Sequence, residues 1–253
     1  QKLPPQFHAI QPLPLQHSII LESVHFSYAQ DQPKVLHGLN LHIFRGERIG
    51  LIGSTGSGKS TTVDLLMGLL EPTAGKVLID GKVLHDAEYP ERLFSWRSSI
   101  AHVPQSIYLA DSSFAENIAF GIPCHQINLA LVKKAASQAQ IASFIEESPK
   151  GYWSRVGEQG IRLSGGQKQR IGIARALYKQ AFVLVFDEAT SSLDTRTENN
   201  VMEAIESLSR ELTIVMIAHR LSTLARCDRV IELANGNVEK IIPPTVLNHA
   251  QPS

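Results

Sequence analysis

One short stretch decides how the rest of this chain is interpreted: Gly53-Ser54-Thr55-Gly56-Ser57-Gly58-Lys59-Ser60. A run typical of a strand, residues 47–52, precedes it. Apolar residues at helical spacing follow it, namely Val63, Leu66, Met67 and Leu70. The glycines let backbone N–H groups curl around phosphate oxygens without a clash from a Cβ atom. The stretch therefore predicts a strand, a phosphate-binding loop and a helix in succession.

The residue types in this loop also predict a chemistry. The full match to the pattern G-x-x-x-x-G-K-S/T sets a lysine and a hydroxyl beside bound phosphates. We expect Lys59 to reach the β- and γ-phosphates of a nucleotide and the Ser60 hydroxyl to bind Mg²⁺. A helix that begins near Lys59 would point the positive end of its dipole at the same anion.

A second run, residues 183–188, supplies the acidic groups that such a loop needs. Four apolar residues are followed by Asp187 and Glu188. An apolar strand of this kind is typical of a parallel sheet covered on both faces, and ligands bind at the carboxyl ends of such strands. We expect Asp187 to hold Mg²⁺, directly or through water, and Glu188 to polarise the attacking water.

The composition narrows the class of protein. Of 253 residues, 43% are hydrophobic, which is enough for a sizeable core. The 24 basic and 24 acidic residues cancel, which argues against a nucleic-acid partner held by a global basic field. The longest apolar run, residues 181–186, is far shorter than the roughly 20 residues of a membrane-spanning helix. The two cysteines cannot form a disulfide framework.

The order of the patterns predicts a mainly parallel α/β sheet with a helical insertion. Alternation typical of a strand begins near Ser18. Further strand-like runs occur at residues 34–44, 182–186, 213–218 and 229–233. Over residues 126–147, apolar residues recur at helical spacing, so we expect an inserted helical part there. The proline-rich residues 1–17 begin without Met and are expected to be an arm left by a cut in a longer chain.

A second glycine-containing stretch is Leu163-Ser164-Gly165-Gly166-Gln167. Ser164 and Gln167 have the spacing of a capping box, which favours a plain helix start. Two glycines in a first helical turn cost roughly 0.5–1 kcal/mol each relative to alanine, which offsets most of what such a cap contributes. A bare helix start is useful where an anion approaches the backbone closely. From these residues alone, both interpretations stay open.

Taken together, the three motifs resemble those of the nucleotide-binding domain of ABC transporters. Residues 53–60 match the Walker A motif of that family, residues 183–188 match Walker B, and residues 163–167 match the signature motif without departure. The resemblance implies an α/β fold: a P-loop NTPase core with a mainly parallel sheet, an antiparallel β subdomain and an inserted α-helical subdomain. It also implies that the chain binds ATP and Mg²⁺ and hydrolyses ATP.

The same resemblance implies domain boundaries and partners. The ATPase domain would cover about residues 18–242, its helical subdomain about residues 106–170, and residues 243–253 would be a C-terminal tail. In this family the signature motif of one copy closes over the ATP held by Walker A of the other, so we expect a second copy of the same or a similar ATPase domain. The other expected partner is a transmembrane domain, at the cytoplasmic face of the plasma (inner) membrane.

Individual residues follow from the resemblance one at a time. The implied nucleotide contacts are Tyr28, Gly53, Ser54, Thr55, Gly56, Ser57, Gly58, Lys59, Ser60, Thr61 and Gln105. Tyr28 resembles the aromatic residue that stacks on adenine, although it also continues the core-facing alternation of Val24 and Phe26. The implied Mg²⁺ ligands are Ser60, Gln105 and Asp187.

The remaining implied residues act on the γ-phosphate or across the dimer. His219 resembles the histidine that contacts the γ-phosphate, and with Glu188 it would form the catalytic pair. Asp194 resembles the aspartate of a loop that crosses the dimer interface. The signature residues that would contact the partner's ATP are Leu163, Ser164, Gly165, Gly166 and Gln167.

Two loops resemble those of exporters rather than importers. Residues 156–160 resemble a short exporter loop that touches the membrane domain, except that Gln159 stands where the family usually has Arg. Residues 112–121 also resemble the corresponding segment of exporters. An importer ATPase subunit and a soluble ABC ATPase stay open as alternatives. The transported substrate is selected by the membrane domain and does not follow from this sequence.

Overall fold

The computed structural model describes residues 11–29, 31–157, 160, 163–187, 195–218, 224 and 226–243. These residues form two β-sheets and seven α-helices. In chain order the elements are β1 Ser18–Phe26, β2 Leu36–Phe44, β3 Arg48–Ile52, α1 Lys59–Leu66, β4 Ala74–Ile79, β5 Lys82–Val83, α2 Glu91–Ser99, β6 Ile100–Val103, α3 Phe114–Ile118, α4 Leu129–Gln138, α5 Ala142–Glu146, α6 Gly165–Tyr178, β7 Val183–Asp187, α7 Thr195–Glu206, β8 Thr213–Ile217, β9 Arg229–Ala234 and β10 Asn237–Ile242.

The larger sheet confirms the predicted α/β class. Its six strands lie in the order β10-β9-β3-β8-β7-β6, and every neighbouring pair is parallel except β9 with β10. The sheet is therefore mainly parallel, with an antiparallel strand at one edge. Because the phosphate loop follows β3 and Asp187 ends β7, both lie at the carboxyl ends of strands in one sheet, with only β8 between them.

The smaller sheet is fully antiparallel. It has the strand order β2-β1-β4-β5 and joins the first part of the chain to the segment after α1. Its second strand runs directly into β3 through a short turn at Arg45–Gly46, so the two sheets share a chain connection. This sheet matches the antiparallel β subdomain that the family resemblance implied.

Strand β7 is covered on both faces, as its continuous apolar run predicted. Val183 and Val185 pack in one hydrophobic core with Val63 of α1. Leu184 and Phe186 pack in a second core, which includes residues of α3, α4 and α6. The side chains of β7 thus alternate between the α1 side and the α6 side of the sheet.

The helical part lies where apolar spacing predicted it. Helices α3, α4 and α5 precede α6, and α4 and α3 both pack against α6. Ala135, Ala136 and Ala139 are fully buried in that contact region. Their small side chains allow the helices to approach closely. The alanine-rich composition is therefore a packing feature of this part.

Helix α1 ends earlier than its apolar spacing predicted. The stripe from Val63 to Leu70 was expected to lie on one helix, but the helix ends at Leu66. Gly68 has φ +70°, a left-handed conformation that terminates an α-helix, and a Cβ there would lie 2.7 Å from Leu93 Cδ1. Leu70 still packs on the core, so its apolar character is explained by burial beyond the helix.

Ordered packing starts before Ser18, the residue at which order was expected to begin. Leu15 is fully buried, and the Leu13 amide donates to the Ser95 carbonyl of α2 at 3.2 Å. The amides of Gln16, His17 and Ser18 all donate to the Asp80 carboxylate, at 2.7–2.9 Å. Residues 11–17 have no regular secondary structure, yet they are held against the domain.

Among the described residues, no helix combines the length and the apolar character that crossing a membrane requires.

Candidate nucleotide-binding site

The loop of residues 53–60 has a backbone that demands its glycines. Gly53 has φ +145°, and a Cβ there would lie 2.2 Å from the Leu233 carbonyl oxygen. Gly58, which caps α1, has φ +102°, and a Cβ there would lie 2.7 Å from Leu36 Cδ2. Gly56 has φ +81° but faces open space. Sterically enforced glycines at both ends of the loop therefore hold a curved backbone against β9 and β2.

Lys59 is folded back over the loop. Its side-chain ammonium donates to the Gly53 carbonyl at 2.8 Å and to the Ser54 carbonyl at 2.9 Å. The residue is only 7% exposed, and both of these partners are neutral carbonyls. A partly buried cation held by neutral oxygens has its charge available to an anion that enters the loop.

Hydroxyl groups complete the loop. The Ser57 Oγ is buried and has no hydrogen-bond partner in the part of the chain that the structure describes. Ser60, in the first turn of α1, is exposed, as are Ser54 and Thr55. Buried polar groups are normally paired, so the Ser57 hydroxyl is free to bond to a ligand of the loop. The exposed side of the loop is open to a ligand.

Tyr28 lies beside the loop and exposes its ring. The residue is 59% exposed, its ring makes a T-shaped contact with Phe26 at 5.0 Å between centroids, and its hydroxyl lies 3.1 Å from the Thr61 Oγ1 of α1. It therefore does not belong to the core with Val24 and Phe26. An exposed ring held by an aromatic neighbour and by its hydroxyl is suited to stack on an aromatic base.

A carboxylate that sequence reasoning missed lies behind the loop. Asp64 is one helical turn beyond Ser60, on the same face of α1. Partial burial raises the pKa of the Asp64 carboxyl above its ordinary value, and the Asp187 carboxylate raises it further, while His102 on β6 lowers it. The i, i+4 spacing sets Asp64 on the same face of α1 as Ser60. Because Ser60 and Asp187 are predicted to bind the same Mg²⁺, this spacing could have identified Asp64 as a neighbour of Asp187.

The signature stretch forms the helix start that the capping pattern predicted. The Ser164 hydroxyl accepts from the Gln167 amide at 3.3 Å, and the Gln167 side chain accepts from the Ser164 amide at 2.8 Å. Ser164 and Gly165 are exposed, and Leu163 is half-buried. The capping interpretation is thus confirmed, and the exposed backbone at Ser164 and Gly165 leaves the start of α6 open to an anion.

Gln105 lies in the loop that follows the edge strand β6. Gln105 is exposed, and its backbone carbonyl accepts a hydrogen bond at 2.7 Å from the buried side chain of Gln169 on α6. Gln169 was not predicted, because a buried amide within a helix leaves no pattern in a single sequence.

Several predicted residues lie outside the described part of the chain. They are Glu188, His219 and Asp194, together with Glu158 and Gln159 of the exporter-like loop. The roles assigned to them stay predictions.

A second surface, formed by Tyr108, Phe120 and Ile122, exposes three large apolar side chains. The rings of Tyr108 and Phe120 are 6.4 Å apart in a T-shaped arrangement, and the Arg175 guanidinium of α6 lies 4.5 Å from the centre of the Phe120 ring. A cavity of about 480 Å³ opens beside Phe120 and Ile122. Because single monomers seldom expose such groups together, we name this the aromatic platform and consider it a contact surface.

Comparison with known proteins agrees with these motifs. The family model described as ABC transporter matches residues 36–191. The chain is 44% identical over 218 residues to an ATP-dependent lipid A-core flippase of Chromohalobacter salexigens, covering 86% of this chain and 36% of the relative. It is 39% identical over 234 residues to the putative multidrug export ATP-binding/permease protein YgaD of Bacillus subtilis, covering 92% of this chain and 39% of the relative.

A solved structure shows the same fold. The structure of a bacterial Atm1-family ABC exporter with ATP bound has a TM-score of 0.81 and 37% sequence identity. The match covers 96% of this chain and 41% of that chain. The chain thus spans less than half the length of the relatives it matches. With the family model matching more than half of the residues and the three motifs in one sheet-and-helix frame, the chain belongs to the ABC transporter family.

Proposed function

We propose that this chain is the ATP-binding and ATP-hydrolysing domain of an ABC exporter. The observation that carries the proposal is the loop of residues 53–60, in which enforced glycines and the inward-folded Lys59 create a cationic cradle. The relatives and the structural neighbour, whose names describe a flippase, a multidrug export protein and an exporter, favour export over import. The proposed ATPase domain covers about residues 18–242, with its helical subdomain at about residues 106–170.

Three side chains that follow or end β3, β6 and β7 have the chemistry to hold a magnesium ion bound with the nucleotide. Ser60 offers an exposed hydroxyl, Gln105 an amide and Asp187 a carboxylate at the end of β7. Hydroxyl, amide and carboxylate oxygens are the ligand types that Mg²⁺ takes in phosphate sites. When bound, Mg²⁺ would neutralise part of the charge on the β- and γ-phosphates.

Each protein group then has a separate task in hydrolysis. Lys59 exchanges its two carbonyl partners for phosphate oxygens, and Tyr28 stacks its exposed ring on the adenine. Glu188 orients and polarises the attacking water, and His219 contacts the γ-phosphate. The exposed start of α6 binds the ATP of a second copy, so that two ATP molecules are enclosed between head-to-tail partners, with Asp194 at their interface.

The aromatic platform supports a membrane-domain partner. Its exposed rings, fixed by Arg175, and the adjacent cavity give a partner helix an apolar surface and a recess to occupy. Residues 157–160 would contribute to the same contact. The chain would then work at the cytoplasmic face of the plasma (inner) membrane, and ATP-driven pairing of two such domains would drive the membrane domains to export a substrate.

The proposal is tested by Glu188→Gln, which keeps the shape of the side chain and removes its charge. We expect the variant to bind Mg-ATP as the wild type does but to lose turnover by about a hundredfold or more, since general-base assistance contributes roughly 10²–10⁴-fold. ATP binding and phosphate release are measured on the same preparation. Near-normal hydrolysis by the variant would remove Glu188 from its assigned role, and a wild type that neither binds nor hydrolyses ATP would reject the proposed function.

A further inference from the structure

The segment of residues 105–108 contacts one face of helix α6 at three points. At its start, the Gln169 side chain donates to the Gln105 carbonyl at 2.7 Å. In its middle, α6 approaches so closely at Gly172 that a Cβ there would lie 2.5 Å from Ile107 Cδ1. At its end, the Arg175 guanidinium donates to the Tyr108 carbonyl at 3.0 Å.

These contacts follow the period of the helix. Residues 169, 172 and 175 are spaced by three, which sets them along one side of α6. The segment therefore lies alongside the helix rather than crossing it at a single point. Ile107 is buried in the core on the α6 side of the sheet, which adds apolar packing to the two hydrogen bonds.

The same helix begins at the signature stretch. Ser164 caps α6, and Gln169 is four residues beyond Gly165, a distance of about 6 Å along the axis at 1.5 Å per residue. An α-helix moves as a rigid element over this length. Any displacement of the signature end of α6 is consequently passed to the backbone of Gln105, whose side chain is assigned to the nucleotide.

We propose that Gln169 is a positioning residue that makes the Gln105 loop move with the signature helix. When α6 closes on a partner's ATP, the Gln169 hydrogen bond sets the position of the Gln105 amide at the phosphate loop of its own chain. Nucleotide closure and assembly of the hydrolytic site become one motion. This inference rests on the proposed function of the chain as an ATPase.

The chemistry of Gln169 favours positioning over simple packing. The residue is 3% exposed and its Nε2 is committed to the Gln105 carbonyl. Its Oε1 is buried without a hydrogen-bond partner among the described residues. Filling the core would need only an apolar side chain of similar size, which would avoid burying that unpaired oxygen.

The test compares Gln169→Leu, which keeps the volume and removes the donor, with Gln169→Glu, which keeps the shape but presents only acceptors to the Gln105 carbonyl. Gln138→Leu, on the exposed face of α4, is the matched control. Turnover is measured against ATP and against Mg²⁺ concentration for each protein. We expect kcat to fall about tenfold to a hundredfold for both Gln169 variants, as for other small misplacements of a reacting group, with KM for ATP nearly unchanged.

A double-mutant cycle separates positioning from general damage. Combined with Gln105→Ala, Gln169→Leu should cost little further activity, because the side chain that it positions is already gone. Additive losses in kcat, or wild-type turnover and Mg²⁺ dependence for Gln169→Leu, would overturn the proposal.

Hydrogen exchange tests whether Gln169 holds residues 105–108 against α6, and it does not require ATP hydrolysis. In Gln169→Leu, the amides of residues 105–108 should exchange about tenfold faster, while those in the middle of α6 keep their protection. Unchanged exchange in the segment would contradict the inference even if the wild type proved inactive. If the wild type is inactive but the segment exchanges faster in Gln169→Leu, the proposed ATPase function is rejected, while the role of Gln169 in holding residues 105–108 against α6 stands.

Discussion

The phosphate loop and the signature helix both prepare a backbone for an anion, but they are completed in different ways. At the loop, Gly53 and Gly58 are enforced by backbone and side-chain neighbours from distant strands, and Lys59 is buried. At the signature, the side chains of Ser164 and Gln167 bond to each other's backbone amides, and Ser164 and Gly165 are exposed. The phosphate loop is built entirely by residues of a single chain. The start of α6 is already capped, and its exposed side is accessible to a ligand or to another protein.

This difference separates stability from function. Residues of the loop pack closely against strands β9 and β2, so changing them should damage folding and binding together. Residues of the signature support mainly their own helix, so changing them should damage only the step that needs a partner. Three substitutions, in order of expected effect, test this separation.

The largest effect is expected from Gly53→Ala. The added Cβ would meet the Leu233 carbonyl oxygen at 2.2 Å with φ at +145°, so the end of β9 or the loop has to shift. We expect a loss of about 2–4 kcal/mol in the free energy of unfolding, typical of severe local strain. Denaturant titration measures it.

Gly56→Ala is the matched control within the same loop. It also has a positive φ, +81°, but its Cβ would face open space, so only about 1 kcal/mol of backbone strain is expected. Equal losses for the two variants would show that crowding at Gly53 does not set the conformation of the loop.

The second effect concerns binding by the monomer. Lys59→Ala removes the ammonium that spans the Gly53 and Ser54 carbonyls, and with it the charge offered to phosphate. We expect Mg-ATP affinity to fall about a hundredfold, equivalent to about 2.7 kcal/mol. Titration calorimetry on the isolated chain measures this, and unchanged affinity would contradict the role given to the loop.

The third and mildest effect on the fold is expected from Gly165→Asp. An acidic residue in a first helical turn stabilises the helix by about 0.3–1 kcal/mol, so thermal unfolding should be unchanged or slightly improved. Because its charge repels a phosphate at the helix start, ATP hydrolysis should nevertheless be lost. A variant that keeps normal turnover would show that the exposed end of α6 does not bind nucleotide. A variant with a strongly lowered melting temperature would show that this end is structural.

The two regions also differ in how far the sequence predicted them. Residues 53–60 could be interpreted because glycine, lysine and serine at fixed spacing have few other uses. The exposure of Tyr28 could not, since its alternation with Val24 and Phe26 also fits a core position, and only the end of β1 at Phe26 separates it from them. The termination of α1 at Leu66 depended on Gly68, which has a left-handed conformation and no space for a side chain beside Leu93 of α2.

Short elements, and elements with few buried residues, were the hardest to predict. Helix α2 buries only Trp96 and Ser99, so it has no apolar stripe to detect. Strand β6 has four residues, too few for a pattern. Trp96 nevertheless connects this region to the site, since its indole N–H donates to the Leu66 carbonyl at the end of α1. The contacts of Asp64 and Gln169 are likewise tertiary and leave no local signal.

Sedimentation of the Glu188→Gln chain with and without Mg-ATP shows whether the phosphate loop of one chain and the α6 start of another form one site. We expect a monomer that becomes a dimer only with ATP, and a monomer at all ATP concentrations once Gly165→Asp is added. A monomer with ATP demonstrably bound, or a dimer that forms equally well without ATP, would contradict this expectation.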